Sequence, residues 1–333
     1  MKGVNTRVVV VTGASAGVGR ATVRAFAREG AHIGLIARDT EGLHTAAREA
    51  DQLGGKGFAA AADVADPDQM ESAAARIESE LGPIDVWVNN AMTTVFGRVA
   101  DVTPAEFKRA TEVTYLGTVY GTMAALRRML PRNAGRIIQV GSALAYRSIP
   151  LQAAYCGAKH AIAGFTDSLR TELIHDRKNI HLTMVQLPAM NTPQFTWCRS
   201  KMPRHPQPVP PIFQPEVAAE TIVWASHHQR REVFVGAPTV IAIEGNKVAP
   251  ALADYYLGKT GFDSQQTQDP VEKDRPDNLF EPVPGDFGAH GVFGRQAHQS
   301  AATSWMAEHR GTAALACAAV FGALAFALKR ATS

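Results

Sequence analysis

The stretch that most constrains the fold is TGASAGVG, Thr12 to Gly19, taken together with its flanks. An apolar run, Arg7 to Thr12, leads into it, and a helical pattern, Val18 to Arg28, leads out. Strand, glycine turn and helix in that order form a cradle for a phosphate. Glycine tolerates positive φ and lets the backbone approach an anion, and the first turn of a helix offers N–H groups without intrahelical partners. Gly13, Ser15, Ala16, Gly17, Val18 and Gly19 are therefore candidate cofactor-binding residues. The spacing is G-x-x-x-G-x-G, not the commoner G-x-G-x-x-G. Alone, it would also suit a tight turn that binds nothing.

The same alternation continues down the chain. Strand Ala31 to Ala37, helix Glu41 to Leu53, strand Lys56 to Ala62, helix Pro67 to Leu81 and strand Ile84 to Val88 follow in turn. Pro104 opens a long helix reaching about Leu130, followed by strand Arg136 to Val140, a helix to about His175, and strand Ile180 to Leu187. Strands separated by helices of this length predict an α/β fold with a doubly wound parallel sheet covered on both faces. Ligands of such sheets bind at the carboxyl ends of the strands, where Gly13, Asp63, Asn89, Ser142 and Pro188 all fall. The second strand ends at Ala37-Arg38. An acidic residue there would grip the free 2′-hydroxyl of NAD(H), whereas Arg38 suits a 2′-phosphate, so NADP(H) is expected in preference. A solvated arginine at a strand end is the plainer alternative.

Carbonyl/alcohol chemistry is concentrated in SALAYRSIPLQAAYCGAK, Ser142 to Lys159. Tyr155 and Lys159 are one helical turn apart and share a face. A free phenol titrates near ~10, and a neighbouring ammonium lowers that value toward the range useful for proton transfer. Ser142, at a strand end, is placed to hydrogen-bond a substrate oxygen.

Taken in register, TGASAGVG, Asp63-Val64, Asn89-Asn90-Ala91, Ser142, Tyr155-x-x-x-Lys159 and the turn Pro188 to Thr192 resemble the classical short-chain dehydrogenases/reductases (SDR) over roughly residues 6 to 240. The resemblance implies a Rossmann-like, seven-stranded sheet, with the last strand at Glu232 to Val235 after a helix Glu216 to His227. It implies a nicotinamide-dependent oxidoreductase in which Tyr155 is the general acid/base, Lys159 its partner and a ribose contact, and Ser142 the residue that orients the carbonyl. It also implies adenine contacts from Asp63 and Val64, an adenosine-side position for Asn89 and Ala91, and nicotinamide-side positions for Pro188 and Thr192. Two departures stand out. Thr114 occupies the place of the usual asparagine of the catalytic relay and is read as a modified relay, and Pro188-Ala189 replaces proline-glycine. Thr114 keeps open a low-turnover NADP-binding scaffold or redox sensor. An epimerase or dehydratase of the extended relatives fits the TGxxxGxG turn less well.

Composition narrows the partners. A net charge of +3 over 333 residues, with no basic stripe, argues against nucleic acid. The three cysteines show neither metal-ligand spacing nor an even framework, which suits a reducing, cytoplasmic compartment. An apolar small-molecule carbonyl or alcohol substrate and a homo-oligomer are the expected partners. The segment Pro193 to Pro215 would cover the substrate, with Phe195, Trp197 and Met202 lining a pocket and Arg199, Lys201 and Arg204 either meeting an anion or facing water. Residues 1–258 are read as the catalytic domain, with a helical extension over Pro238 to Gly258. Residues 259–310 are read as a Pro/Gly-rich linker or surface arm. The uncharged segment 311–328 would span ~27 Å as a helix against a ~30 Å hydrocarbon core. It is expected either to anchor the protein in a membrane or to dock on protein, and its eight alanines make insertion weakly favourable.

Overall fold

The structure, a computed structural model, describes residues 6–272 and 274–301. Seven parallel strands form the central sheet: β1 (Val8–Thr12), β2 (His32–Ala37), β3 (Lys56–Ala61), β4 (Val86–Asn89), β5 (Gly135–Ser142), β6 (Ile180–Leu187) and β7 (Glu232–Phe234). Their spatial order is β3-β2-β1-β4-β5-β6-β7. The strand order therefore reverses between β1 and β4, which opens a crevice at their carboxyl ends.

Period-two alternation within β1 shows why both faces are covered. Val9 and Val11 pack into one apolar cluster with Phe26, Leu35 and Ile222, while Val8 and Val10 pack into the opposite one with Met70, Ile77 and Met129. Helices α1 (Gly17–Arg28), α2 (Thr40–Gln52) and α3 (Pro67–Leu81) alternate with the first strands. The side chain of Asp39 caps α2, and Asp66 followed by Pro67 caps α3. Thr103 and Glu106 form a capping box at α4 (Pro104–Thr111).

The long helix expected from Pro104 is interrupted. A π turn, Glu112–Leu116, separates α4 from α5 (Gly117–Arg132). Helix α6 (Ala153–His175) carries Tyr155 and Lys159, and α7 (Pro215–His227) precedes β7. Two further helices, α8 (Ala237–Val248) and α9 (Pro250–Thr260), replace the single extension and break at Pro250, whose ring cannot continue a ladder.

Beyond α9 the chain packs back onto the body. Gln266–Pro270 pairs antiparallel with Arg204–Pro206, and Ala297–His298 pairs parallel with Ile212–Phe213, which also pairs with Ala189–Met190. Leu279, Ala289 and Phe293 of this arm are buried. Among the described residues no helix is long and apolar enough to cross a membrane. The segment 311–328, and with it the expected anchor, lies outside the described residues.

Candidate active site

Ser142 closes β5, and Tyr155 and Lys159 stand on the first turns of α6, so one edge of the crevice carries all three. The Ser142 hydroxyl faces the Tyr155 phenol and favours its ionised form. Lys159 Nζ lies 5.5 Å from the centre of the Tyr155 ring and donates to the Val140 carbonyl at 2.6 Å. Lys159 is only 3% exposed, and burial lowers its pKa to about 8. Burial pushes the Tyr155 phenol well above its ordinary value, with the nearby Ser142 hydroxyl pulling the other way. Near neutral pH, then, the phenol keeps its proton and the ammonium its charge. This is an arrangement that can give a proton to an alkoxide forming beside Tyr155.

A buried polar string holds the end of β5. The Ser142 N–H donates to Gln186 Oε1 at 2.7 Å, Gln186 Nε2 donates to Glu232 Oε1 at 2.6 Å, and the Tyr146 hydroxyl donates to that same oxygen at 2.6 Å. The sequence reading missed Gln186. Its signal was a long amide set between Val185 and Leu187 at the carboxyl end of β6, and the structure buries it fully.

One cavity of about 910 Å³ runs along the carboxyl ends of the strands. Gly13, Ser15, Ala16, Gly17, Val18, Arg38, Asp63, Val64, Ala91, Ser142, Tyr155, Lys159, Pro188 and Thr192 all line it. Positive φ at Gly13 and Gly17 holds the glycine turn close to its neighbours. A Cβ on Gly13 would stand 2.9 Å from Ala91 Cα, and one on Gly17 would stand 3.2 Å from Thr192 Cβ.

Three expected site residues stand apart from the cavity. Gly19 is a packing residue, because a Cβ there would fall 2.0 Å from the Gly13 carbonyl oxygen. The Asn89 side chain turns into the sheet, accepting from Trp87 Nε1 at 2.8 Å and donating to Thr122 and Gln139 at 2.9 Å each. Asn90 lines the cavity in its place and donates to the Thr12 carbonyl at 3.0 Å. Thr114 is fully buried in the π turn, where its hydroxyl accepts from Thr93 N at 3.1 Å and donates to Thr93 O at 2.9 Å. Its hydroxyl is thus committed to the backbone of the loop after β4.

Just past the end of β2, Asp39 spends its carboxylate on the N–H groups of Glu41 and Gly42, at 3.2 and 2.9 Å. Arg38 is the basic residue that lines the cavity there. Asp63 pairs with Arg109. On the side away from the glycine turn the walls are largely apolar, formed by Leu144, Ile149, the prolines 208, 210 and 211, and the α8–α9 residues Ile241, Leu252 and Tyr256, with Arg147, Gln152, Gln207 and Gln265 among them. Phe195 and Trp197 line the cavity as expected, Trp197 against Phe287, whereas Met202 is buried with Phe96, Leu151 and Cys198. The three basic residues of the covering segment are already paired. Arg199 bonds Glu106 and Asp277, Lys201 bonds Glu106 at 2.8 Å, and Arg204 bonds Asp263 at 2.7 Å.

The fold and this constellation agree with what the chain is similar to. A family profile described as short chain dehydrogenase matches residues 7–202. An uncharacterized oxidoreductase, YxnA, from Bacillus subtilis is 31% identical over 285 residues, spanning 84% of this chain and 80% of that one. A 3-dehydrosphinganine reductase from Danio rerio is 33% identical over 223 residues, 65% of this chain and 67% of its own. Among solved structures, a metagenomic short-chain oxidoreductase in complex with NADP superposes with a TM-score of 0.57 at 26% identity, covering 69% of this chain and 96% of that one. With a seven-stranded doubly wound sheet and matching sequence over most of its length, the chain belongs to the short-chain dehydrogenase/reductase family and is an NAD(P)-dependent oxidoreductase.

Proposed function

We propose that this protein is an NADP(H)-dependent reductase of apolar ketones, or the corresponding secondary-alcohol dehydrogenase, with Tyr155 as general acid/base. The observation that carries the reading is the Ser142–Tyr155–Lys159 cluster opening into the same cavity as the glycine turn and Arg38. The residues present suit a dinucleotide. The turn is kept thin by Gly13 and Gly17, the first N–H groups of α1 lie beside it, and a cation stands at the end of β2. Arg38, with no competing carboxylate from Asp39, favours a cofactor bearing a 2′-phosphate. When bound, the nicotinamide supplies or accepts the hydride.

The chain's own residues manage the proton and the geometry. Ser142 and Tyr155 would both hydrogen-bond the substrate oxygen, and Tyr155 would transfer its proton as that oxygen becomes an alcohol. The Lys159 ammonium favours the phenolate that remains. Val64, Asp63 and Ala91 would flank the adenosine, and Thr192 and Pro188 the nicotinamide side. Thr114 acts here as a positioning residue, fixing Thr93 and the loop that follows β4. The low-turnover scaffold rested on Thr114 alone, and its bonds to Thr93 supply a structural reason for that residue. The largely apolar walls on the side away from the glycine turn favour an uncharged, hydrocarbon-rich substrate, and the sphinganine-type name of one relative points the same way.

Purified protein with NADPH and with NADH, offered a panel of ketones, aldehydes and acyl thioesters, tests the reading. NADPH oxidation with apolar ketones is the expected result. Absence of turnover with every carbonyl, despite tight NADPH binding, would leave the scaffold as the better account.

A further inference from the structure

The arm after α9 does more than cover the surface. Arg38 Nη1 donates to the Phe280 carbonyl at 2.7 Å, and Nη2 donates to the Asn278 carbonyl at 2.5 Å. Asn278 is a node. Its N–H donates to the Trp197 carbonyl at 3.0 Å, and its Oδ1 accepts from the Thr93 hydroxyl at 3.3 Å. Leu279 is fully buried beside Val95, Ala110 and Ala154, and its carbonyl accepts from Arg109 at 3.1 Å.

Further along, Asp286 meets the buried Arg20 of α1 at 3.4 Å, and the Gly288 carbonyl accepts from Gly17 N at 3.0 Å. The arm thus touches the end of β2, the loop after β4 and the glycine turn, three separate walls of the dinucleotide crevice. Asn278, Pro282, Val283, Gly285 and Phe287 line the cavity together with Gly13 and Arg38.

We propose that residues 278–288 are a built part of the dinucleotide site, roofing its adenosine-phosphate half and orienting Arg38 toward a 2′-phosphate. This rests on the NADP(H) reading above. A guanidinium has five N–H donors in a fixed plane. Two are held by arm carbonyls, so the remaining three are aimed without losing the freedom of a solvated side chain on binding. Pinning of this kind makes arm closure and recognition of the phosphate depend on one another.

The double variant Asn278→Ala/Asp286→Ala loosens the arm at both ends and leaves Arg38 in place. Stopped-flow fluorescence should show NADPH leaving it roughly tenfold faster than the parent, the scale set by losing the long Thr93–Asn278 bond and the bonds of Asp286 to Arg20 and Gly288 N. Thermal unfolding of the cofactor-free variant checks that it is folded. In the parent, amide hydrogen exchange over 278–288 should slow with 2′-phospho-ADP-ribose, which cannot react, and slow less with ADP-ribose. If NADPH binds the parent but exchange over 278–288 does not respond, the proposal is overturned and the functional reading stands. An unchanged release rate in a folded double variant overturns it equally. If the parent binds no NADPH, both fall.

Discussion

The two covers of the crevice are built on opposite principles. Over the adenosine half lies the arm, held by hydrogen bonds from Arg38, Arg109, Thr93 and Gly17 and by the buried side chains of Leu279, Ala289 and Phe293. Over the substrate half lie α8 and α9. Only Thr239 and Ile243 of α8 are buried, and none of α9 is. Ile241, Leu252 and Tyr256 line the cavity yet remain 69%, 68% and 62% exposed. Side-chain ties from this flap to the loop after β5 run through Asn246 and Asp254 to Tyr146 and Arg147. A segment with so few buried contacts opens at low cost, while one threaded through three walls does not. On the proposed function, the contrast suits a cofactor that is retained and an apolar substrate that comes and goes past a greasy rim.

The sharpest break lies where the two halves meet. Tyr155→Phe should lower turnover at least ~10²-fold while leaving NADPH affinity nearly unchanged, measured by steady-state rates and fluorescence titration. Loss of binding instead would mean that the tyrosine belongs to the cofactor end. Next in size is Arg38→Ala. It should weaken NADPH roughly ten- to a hundredfold and NADH little, the scale of a charge-assisted hydrogen bond of ~1.5–3 kcal/mol. Equal parental affinities for the two cofactors would remove the adenosine end from the comparison.

Ile241→Ser/Leu252→Ser should then lower kcat/KM for a long-chain ketone about tenfold and leave a small ketone unaffected, since each buried methylene is worth about 0.8 kcal/mol at most. Cofactor affinity should not move.

A pH titration separates chemistry from folding at Lys159. Its folded pKa of about 8 lies below the ordinary ~10.5, so the charged form is disfavoured by burial. Turnover should fall as pH rises through about 8, because the ammonium is lost. Over the same window, from about 8 to about 10.5, the unfolded chain binds the extra proton, and the lysine's contribution to stability rises. A rate that stays flat to pH 10 would disconnect Lys159 from the chemistry.

The smallest effect is expected at Glu106, which bonds Lys201 and Arg199, the latter also gripping Asp277 at the root of the arm. Burial alone would raise its carboxyl, but the Lys201 and Thr103 hydrogen bonds prevail and hold it down at about 2. Its stabilisation is present above the ordinary carboxylate pKa and is lost as pH falls toward 2. Glu106→Gln should cost about 1–2 kcal/mol near neutral pH, a few degrees in Tm, with the arm's amides exchanging faster.

What could be read from the sequence followed from local rules. Valine runs, glycine turns and capping residues report on their own neighbourhoods, and so the strands from Arg7 to Leu187 and the cluster Ser142, Tyr155 and Lys159 were legible. Side-chain direction was not. Asn89 ends β4 and Asn90 begins the loop after it, and only the geometry of that strand end decides that Asn89 enters the sheet while Asn90 meets the cavity. Thr114 was placed by its spacing, but the π turn that rotates it onto Thr93 leaves no mark in composition. The arm was hardest, since Pro- and Gly-rich segments have no periodicity. Its bonds to Arg38 join residues some 240 positions apart.

That distance along the chain has a consequence for how the protein is made. The last strand of the sheet ends at Phe234, whereas the carbonyl that meets the glycine turn belongs to Gly288. At roughly 5–20 residues per second, ribosomes would add those 54 residues in about 3–11 s. For that interval every strand of the sheet, with Ser142, Tyr155 and Lys159, has been made, while the segment proposed to roof the adenosine pocket has not. A transcript stopped anywhere in the gap should therefore yield a folded nucleotide binder that exchanges its cofactor quickly.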